Sequence, residues 1–329
     1  MEVAEKNMNG LAMNTSGMNY NILVTGGAGY LGSILVPELL KLGNKVTVLD
    51  NFMFGPTSLL DCCHYDTFEV VRGDARDKTL IDKLTKDKDI VIPLAALVGA
   101  PLCNRDKIGA DTTNRGAIKT LVEVLSKKQR IIIPTTNSGY GVGQEGIYCT
   151  EETPLNPISF YGKTKVEAEK IVLARGNSIS LRLATVFGMS PRMRVDLLVN
   201  DFTYRAVRDH FIIVFEGRFK RNYIHIRDVA RAFIHVIEKF DSMKDEPYNV
   251  GLSDANLSKL ELCAKIKEEV PDFVYMEAAV GEDLDKRNYI VSNEKIERTG
   301  FAPKYSLKTG IRELIKGYKI ITNSKYSNV

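Results

Sequence analysis

The sequence predicts an α/β protein: a doubly wound parallel sheet that carries a smaller mixed α/β lobe. Three observations predict it. Short apolar, β-branched runs alternate with helical patterns from residue 21 to residue 183, the first run leads straight into a glycine-rich turn, and the alternation breaks near Gly188. Strands and helices in alternation imply a parallel sheet covered on both faces. Right-handed crossovers wind it in both directions and leave a binding crevice at the strand C-termini.

Taken in order, Asn21-Ile22-Leu23-Val24-Thr25 reads as a buried strand. Gly26-Gly27-Ala28-Gly29-Tyr30-Leu31-Gly32 follows, and then the helical pattern Ile34, Leu35, Leu39, Leu40. Gly26, Gly29 and Gly32 have the spacing in which the first turns the chain, the second admits a pyrophosphate to the backbone, and the third packs helix on strand. The helix N-terminus then offers unpaired N–H groups to phosphates. Lys45-Val46-Thr47-Val48-Leu49 is a second strand ending at Asp50, eighteen residues beyond Gly32. A carboxylate there suits a ribose diol and repels a 2′-phosphate, which points to NAD over NADP.

Phe68–Arg72 is a short strand ending in Gly73-Asp74, and Ile90–Ala96 an apolar strand running into Leu97-Val98-Gly99-Ala100-Pro101. A helix over about 111–126 precedes the strand Arg130–Ile133; the Tyr161 helix precedes the strand Ser178–Leu183. Beyond Gly188 come a helical pattern through Leu197, Leu198, Phe202 and Ala206, a strand over 222–228 and a helix over 229–239. The expected organisation is a leader over 1–18, a nucleotide-binding domain over 19–187 and 222–249, and a substrate lobe over 188–221 and 250–329. The leader is polar, without the apolar stretch of a secretory signal.

The chemistry centres on Ser159-Phe160-Tyr161-Gly162-Lys163-Thr164-Lys165. Tyr161 and Lys165 are four apart and share a helix face, so an ammonium can sit beneath a phenol. Ionising a phenol near neutrality means lowering its pKa by roughly 3 units, about 4 kcal/mol. A lysine and an oxidised nicotinamide, both positive, can supply that together. The pair alone also arises on ordinary helix surfaces, and the glycine turn and Asp50 are what give it weight.

Composition narrows the classes. The chain has 329 residues, 44% hydrophobic and 26% charged, with a net charge of +4, ordinary for a globular enzyme. Basic residues do not gather with aromatics, which argues against nucleic acid as a partner. No apolar run approaches the roughly 20 residues of a membrane helix. Cys62, Cys63, Cys103, Cys149 and Cys263 are odd in number and lack metal-ligand spacing, which reads as reduced thiols in a cytoplasmic protein without a metal site. His225, in a strand-like run, reads as structural.

With the glycine turn, Asp50, Leu94-Ala95-Ala96, Thr135-Thr136-Asn137-Ser138-Gly139-Tyr140-Gly141 and Tyr161/Lys165 in order, the chain resembles the extended short-chain dehydrogenases/reductases over residues 20–320. Within them it is similar to the nucleotide-sugar epimerases and dehydratases. The resemblance implies a Rossmann sheet and NAD held by Gly26, Gly29, Tyr30, Leu31 and Gly32, by Asp50 and Asn51, by Asp74 and Ala75, by Leu94, Ala95 and Ala96, and by Asn114. It implies Thr136, Tyr161 and Lys165 as the catalytic set, with Thr135 and Ser138 near enough to compete for the hydroxyl's role. Family 4,6-dehydratases carry an acid right after this Thr; Asn137 and Ser138 cannot act as general acids. The resemblance therefore implies oxidation at C4, net or transient, without elimination.

Val98-Gly99-Ala100-Pro101-Leu102-Cys103, Asn137–Tyr140 and the run from Ser190 to Asp201 look closest to enzymes of the GDP-D-glycero-D-manno-heptose pathway. In those a 4-dehydrogenase prepares the heptose for surface polysaccharide. The likeness implies a nucleotide-diphosphate sugar met by Val98, Asn137, Ser138, Thr185, Arg192, Asn200, Arg221 and Arg287, with Arg192, Arg194, Arg221 and Arg287 at the diphosphate and base end. A 4-epimerase shares the same triad, and a non-catalytic NAD sensor is a further alternative. The family also implies a homodimer, or a larger homo-oligomer, through a four-helix bundle of helices near 110–127 and 157–174; Val122, Leu125, Ala168, Ile171 and Val172 could form it or face the sheet.

Overall fold

The computed structural model describes residues 19–279 and 287–321, so the leader over 1–18 lies outside the described residues. Seven strands build the main sheet: β1 (Asn21–Thr25), β2 (Lys45–Asp50), β3 (Phe68–Arg72), β4 (Ile90–Pro93), β5 (Arg130–Thr136), β6 (Ser178–Leu183) and β7 (Glu246–Val250). Their order is β7-β6-β5-β4-β1-β2-β3, with every pairing parallel. The winding reverses between β1 and β4, and the crevice opens there, beyond the strand C-termini. β7 is the strand missed in the sequence. Its Glu-Pro-Tyr-Asn-Val run lacks an apolar signature, and an edge position is what tolerates Pro247.

Strand periodicity divides the core. Leu23, Val91, Ile131 and Ile133 pack on one face with Ile118, Leu121, Leu125, Ala168 and Val172. Ile22, Val24, Ile90, Ile92, Ile132 and Ile179 pack on the other, against the helices Gly32–Lys41 and Ile226–Glu238. The residues proposed for a bundle interface therefore serve the sheet, with Val122 and Ile171 packed partly against the same cluster. The outward positions of these helices are Lys119, Glu123, Lys163, Glu167 and Lys170.

The strand placed at 222–228 runs over Lys220–His225 and pairs with Thr185–Phe187 and Asn256–Ser258 in a separate three-stranded sheet. The cluster on the helix-226 face runs on through Phe273, Ile311, Leu314 and Tyr318. His225 is structural, buried, with its ring on Tyr305 and Nε2 2.6 Å from Glu313 Oε2. The helix expected over 111–126 is broken into Lys107–Asp111, a π-helical turn Thr112–Gly116, and Ala117–Val124. Among the described residues no helix is long and apolar enough to cross a membrane.

Candidate active site

A cavity of about 410 Å³ occupies the crevice. Its floor is the glycine turn. Gly26 has φ +72°, and a Cβ there would lie 2.5 Å from the Ala95 backbone nitrogen. A Cβ on Gly32 would lie 2.3 Å from the Gly27 carbonyl oxygen, so the helix closes directly onto the turn. On Gly29 it would meet only the Gly26 carbonyl oxygen, at 3.1 Å. Asp50 fixes the turn from the end of β2: its carboxylate accepts from Ala28 N at 2.9 Å and Phe52 N at 2.7 Å. Gly26, Gly29, Tyr30, Leu31, Gly32, Asp50, Asn51, Asp74, Ala75, Leu94, Ala95 and Ala96 all line the cavity.

Asn114 does not. It is buried, and its amide bridges the loop after β4 to the helix that carries Tyr161, accepting from Leu97 N at 2.8 Å and donating to Leu97 O at 2.9 Å and Thr164 Oγ1 at 3.2 Å. It shapes the wall from behind. The π-helical turn offsets the helix enough to aim this amide inward, an irregularity common at functional sites.

Ser159 starts the helix Phe160–Arg175 by accepting from Gly162 N at 3.1 Å. That cap sets Tyr161 in the first turn and Lys165 one turn on, both facing the cavity together with Thr136. Burial pushes the Tyr161 phenol up to about 12; the charges of Arg194 and Arg287 and a hydrogen bond with Thr136 act against it, while Cys103 adds to it. Burial pushes the Lys165 ammonium down to about 8, opposed by Glu169 and Cys103. Arg194, brought in from the 188–197 loop, is the leading group that opposes the effect of burial on Tyr161.

At the substrate end Val98, Ser138, Thr185, Arg192 and Arg287 line the cavity, and so does Arg194. Arg192 packs over the Phe54 ring at 4.2 Å, and burial lowers its pKa to about 10. Three expected residues lie elsewhere. Asn200 is fully buried, its amide spent on Gly188 N (3.0 Å), Tyr30 OH (3.2 Å) and Arg194 O (2.8 Å). Arg221 is buried over the Tyr289 ring and donates to Lys220 O at 2.9 Å. Asn137 points into the protein, and its amide finds no hydrogen-bond partner among the described residues.

The family model described as "NAD dependent epimerase/dehydratase family" matches residues 22–251. The chain belongs to that family. It is similar to a low-salt glycan biosynthesis protein of Haloferax volcanii, 29% identical over 91% of this chain and 98% of the relative. A putative UDP-glucose 4-epimerase of Methanocaldococcus jannaschii is 28% identical over the same shares. Among solved structures, the UDP-glucose 4-epimerase of Thermotoga maritima with UDP-glucose superposes with a TM-score of 0.79 at 26% identity, covering 92% of this chain and 100% of that one. The chain is thus an NAD-dependent enzyme with a Rossmann-type sheet.

The cradle suits NAD. A side chain at Gly26 or Gly32 would collide with backbone, and the Asp50 carboxylate already faces the cavity while bracing the turn. The sequence reading missed Glu169, which lies buried beneath the helix and accepts from Thr135 (2.9 Å), Ser180 (2.6 Å) and Arg182 (2.7 Å). Its spacing of four from Lys165 was visible; its burial was not. Cys103 is buried, with its thiol on Leu97 O at 3.2 Å; the sequence placed it in the Val98–Cys103 run without a role of its own.

Proposed function

We propose that this enzyme oxidises C4 of a nucleotide-diphosphate sugar, and that the sugar is a GDP-activated manno-heptose used in surface polysaccharide. The observation that carries the chemistry is that Thr136, Tyr161 and Lys165 line one crevice together with the glycine turn. Tyr161 takes the proton of the C4 hydroxyl, Thr136 holds that hydroxyl, and the Lys165 ammonium favours the phenolate. NAD, when bound, supplies the two-electron acceptor for that carbon. Elimination needs an acid after Thr136; Asn137 is turned inward and Ser138 is a hydroxyl. Arg192 is our candidate for the diphosphate, as a guanidinium pairs with it bidentately. The heptose reading rests on the likeness of Val98–Cys103, Asn137–Tyr140 and 190–201. We propose a cytoplasmic homo-oligomer, at least a dimer; the cysteines all stand as free thiols, in keeping with a reducing compartment.

A 4-epimerase is the second reading, favoured by relatives named as UDP-glucose 4-epimerases. Adding GDP-D-glycero-D-manno-heptose to the NAD-loaded enzyme separates the two. A stoichiometric, lasting rise in reduced-nicotinamide absorbance is expected for net oxidation. A C4 epimer mixture without a lasting rise makes it an epimerase, and unchanged sugar removes the heptose. Tyr161→Phe should slow the chemical step by roughly 10²–10⁴-fold with NAD still bound; near-normal turnover would remove Tyr161 from the mechanism.

A further inference from the structure

The family resemblance puts Arg287 on the phosphates; its surroundings point elsewhere. Arg287 donates to Ser138 Oγ through Nη1. Thr136 Oγ1 donates to the same Ser138 oxygen at 2.9 Å and accepts from Ser138 N at 3.1 Å. Thr136 in turn reaches Tyr161. The four residues form one chain of contacts at the reacting end of the cavity, and all four line it.

The backbone explains how a residue so late in the sequence arrives there. Asn288, next in the chain, accepts from Gly143 N at 2.8 Å through its carbonyl and from Lys220 N at 2.9 Å through its side chain. Tyr289 meets the Tyr140 ring edge-on at 6.2 Å, and Ile290–Val291 pairs in parallel with Tyr148–Cys149. The segment beginning at Arg287 is therefore fastened to the stretch just after Ser138. This fastening carries the guanidinium towards the triad and limits its reach along the crevice.

We propose that Arg287 serves the reacting end of the site rather than the diphosphate: it locks Ser138 onto Thr136, fixing the hydroxyl beside Tyr161, and balances the charge formed when the phenol loses its proton. Both roles are those of a positioning residue. A Ser hydroxyl has two acceptor sites; Arg287 and Thr136 fill them, which holds the Thr136 side chain in place beside Tyr161. Among the described residues the titratable groups acting on the phenol are Arg194 from the 188–197 loop, Arg287 and the Cys103 thiol, and Lys165 stands one turn along its own helix. Of these, Arg194 and Arg287 act to favour the phenolate.

The proposal rests on the oxidoreductase reading above, and the test separates the two. Phenolate absorbance of the NAD-loaded enzyme is titrated with pH, taken as the difference from Tyr161→Phe, for wild type, Arg287→Gln and Arg287→Lys; the Kd for free GDP and UDP is measured on each by calorimetry. Expected for Arg287→Gln is a Tyr161 titration moved up by about one unit, a tenfold loss of phenolate at fixed pH. Arg287→Lys should recover part of that shift, and nucleoside diphosphate affinity should stay within about threefold of wild type. A tenfold or greater loss of diphosphate affinity with an unmoved titration overturns the proposal, and so does no change in either. If neither GDP nor UDP binds the wild type, the nucleotide-sugar reading falls, while the phenolate titration still decides the role of Arg287. NAD retention on each variant reports that it has folded.

Discussion

Tyr161 and Lys165 sit where a spacing of four puts them, and burial in the fold dominates their electrostatics. Burial moves the phenol up to about 12 and the ammonium down to about 8. Glu169 is the leading group that holds the Lys165 pKa up against burial, with Cys103 behind it. Removing its charge lowers that pKa further, so the ammonium discharges at a lower pH. Glu169→Gln should therefore move the alkaline fall of turnover, expected near pH 8, to lower pH. A profile that keeps its shape and loses only amplitude would assign Glu169 to stability alone. The substitution also unpairs Arg182, whose bond to Glu169 is buried on both sides, and should cost roughly 3–5 kcal/mol in denaturant unfolding. The spacing of Glu169 could be read from the sequence; its partners on β5 and β6 could not, since strand pairing brings them under the helix.

At the scale of elements, the glycine turn and the 188–200 segment act as one support. Tyr30 OH donates to Gly188 O at 2.7 Å, Ser190 donates to Tyr30 O at 2.8 Å, and Asn200 ties Tyr30 OH to Gly188 N and to the carbonyl of Arg194. The loop that delivers Arg192 and Arg194 is thus pinned to the glycine turn. Asn200→Ala leaves buried polar groups without partners and should cost roughly 2–3 kcal/mol of stability, with weaker NAD binding by calorimetry. Undiminished NAD affinity would show that the tie carries no information between the two halves of the site. Gly26→Ala faces a harder obstacle: a positive φ and backbone 2.5 Å from the new Cβ. Loss of NAD binding by at least about tenfold is expected, since strain of roughly 1–3 kcal/mol falls on the cradle itself; unchanged affinity would mean that the turn can shift without cost to the site. Turn glycines are legible because backbone geometry demands them. Asn200 was legible only as a polar residue on a helix, and its assignment to the diphosphate failed because its neighbours come from Tyr30 and Gly188.

For the molecule as a whole, the two lobes share a core. The cluster beside β1 extends to Leu307, Ile311, Leu314 and Tyr318, all buried, and Glu313 meets the buried His225. Each such apolar side chain contributes about 1.5–3 kcal/mol, so the four together contribute about 6–12 kcal/mol, comparable to the total stability of a typical domain. A chain ended at Lys304 should consequently lose cooperative thermal unfolding and NAD binding together. If it kept NAD and a sharp transition, the sheet would be an independent domain after all.

The sequence by itself determined the Rossmann sheet, the glycine turn and the placement of Tyr161 and Lys165 on one helix face. Each of these depends on local periodicity, backbone conformation or a fixed spacing along a few residues. Only the tertiary structure decided that β7 closes the sheet, that Asn114, Asn137, Asn200 and Arg221 stand outside the cavity, and that Arg194 and Arg287 converge on Tyr161. Those outcomes depend on which segments far apart in the chain are packed together. A side chain's neighbours across a fold are set by burial and pairing, and no local pattern encodes them.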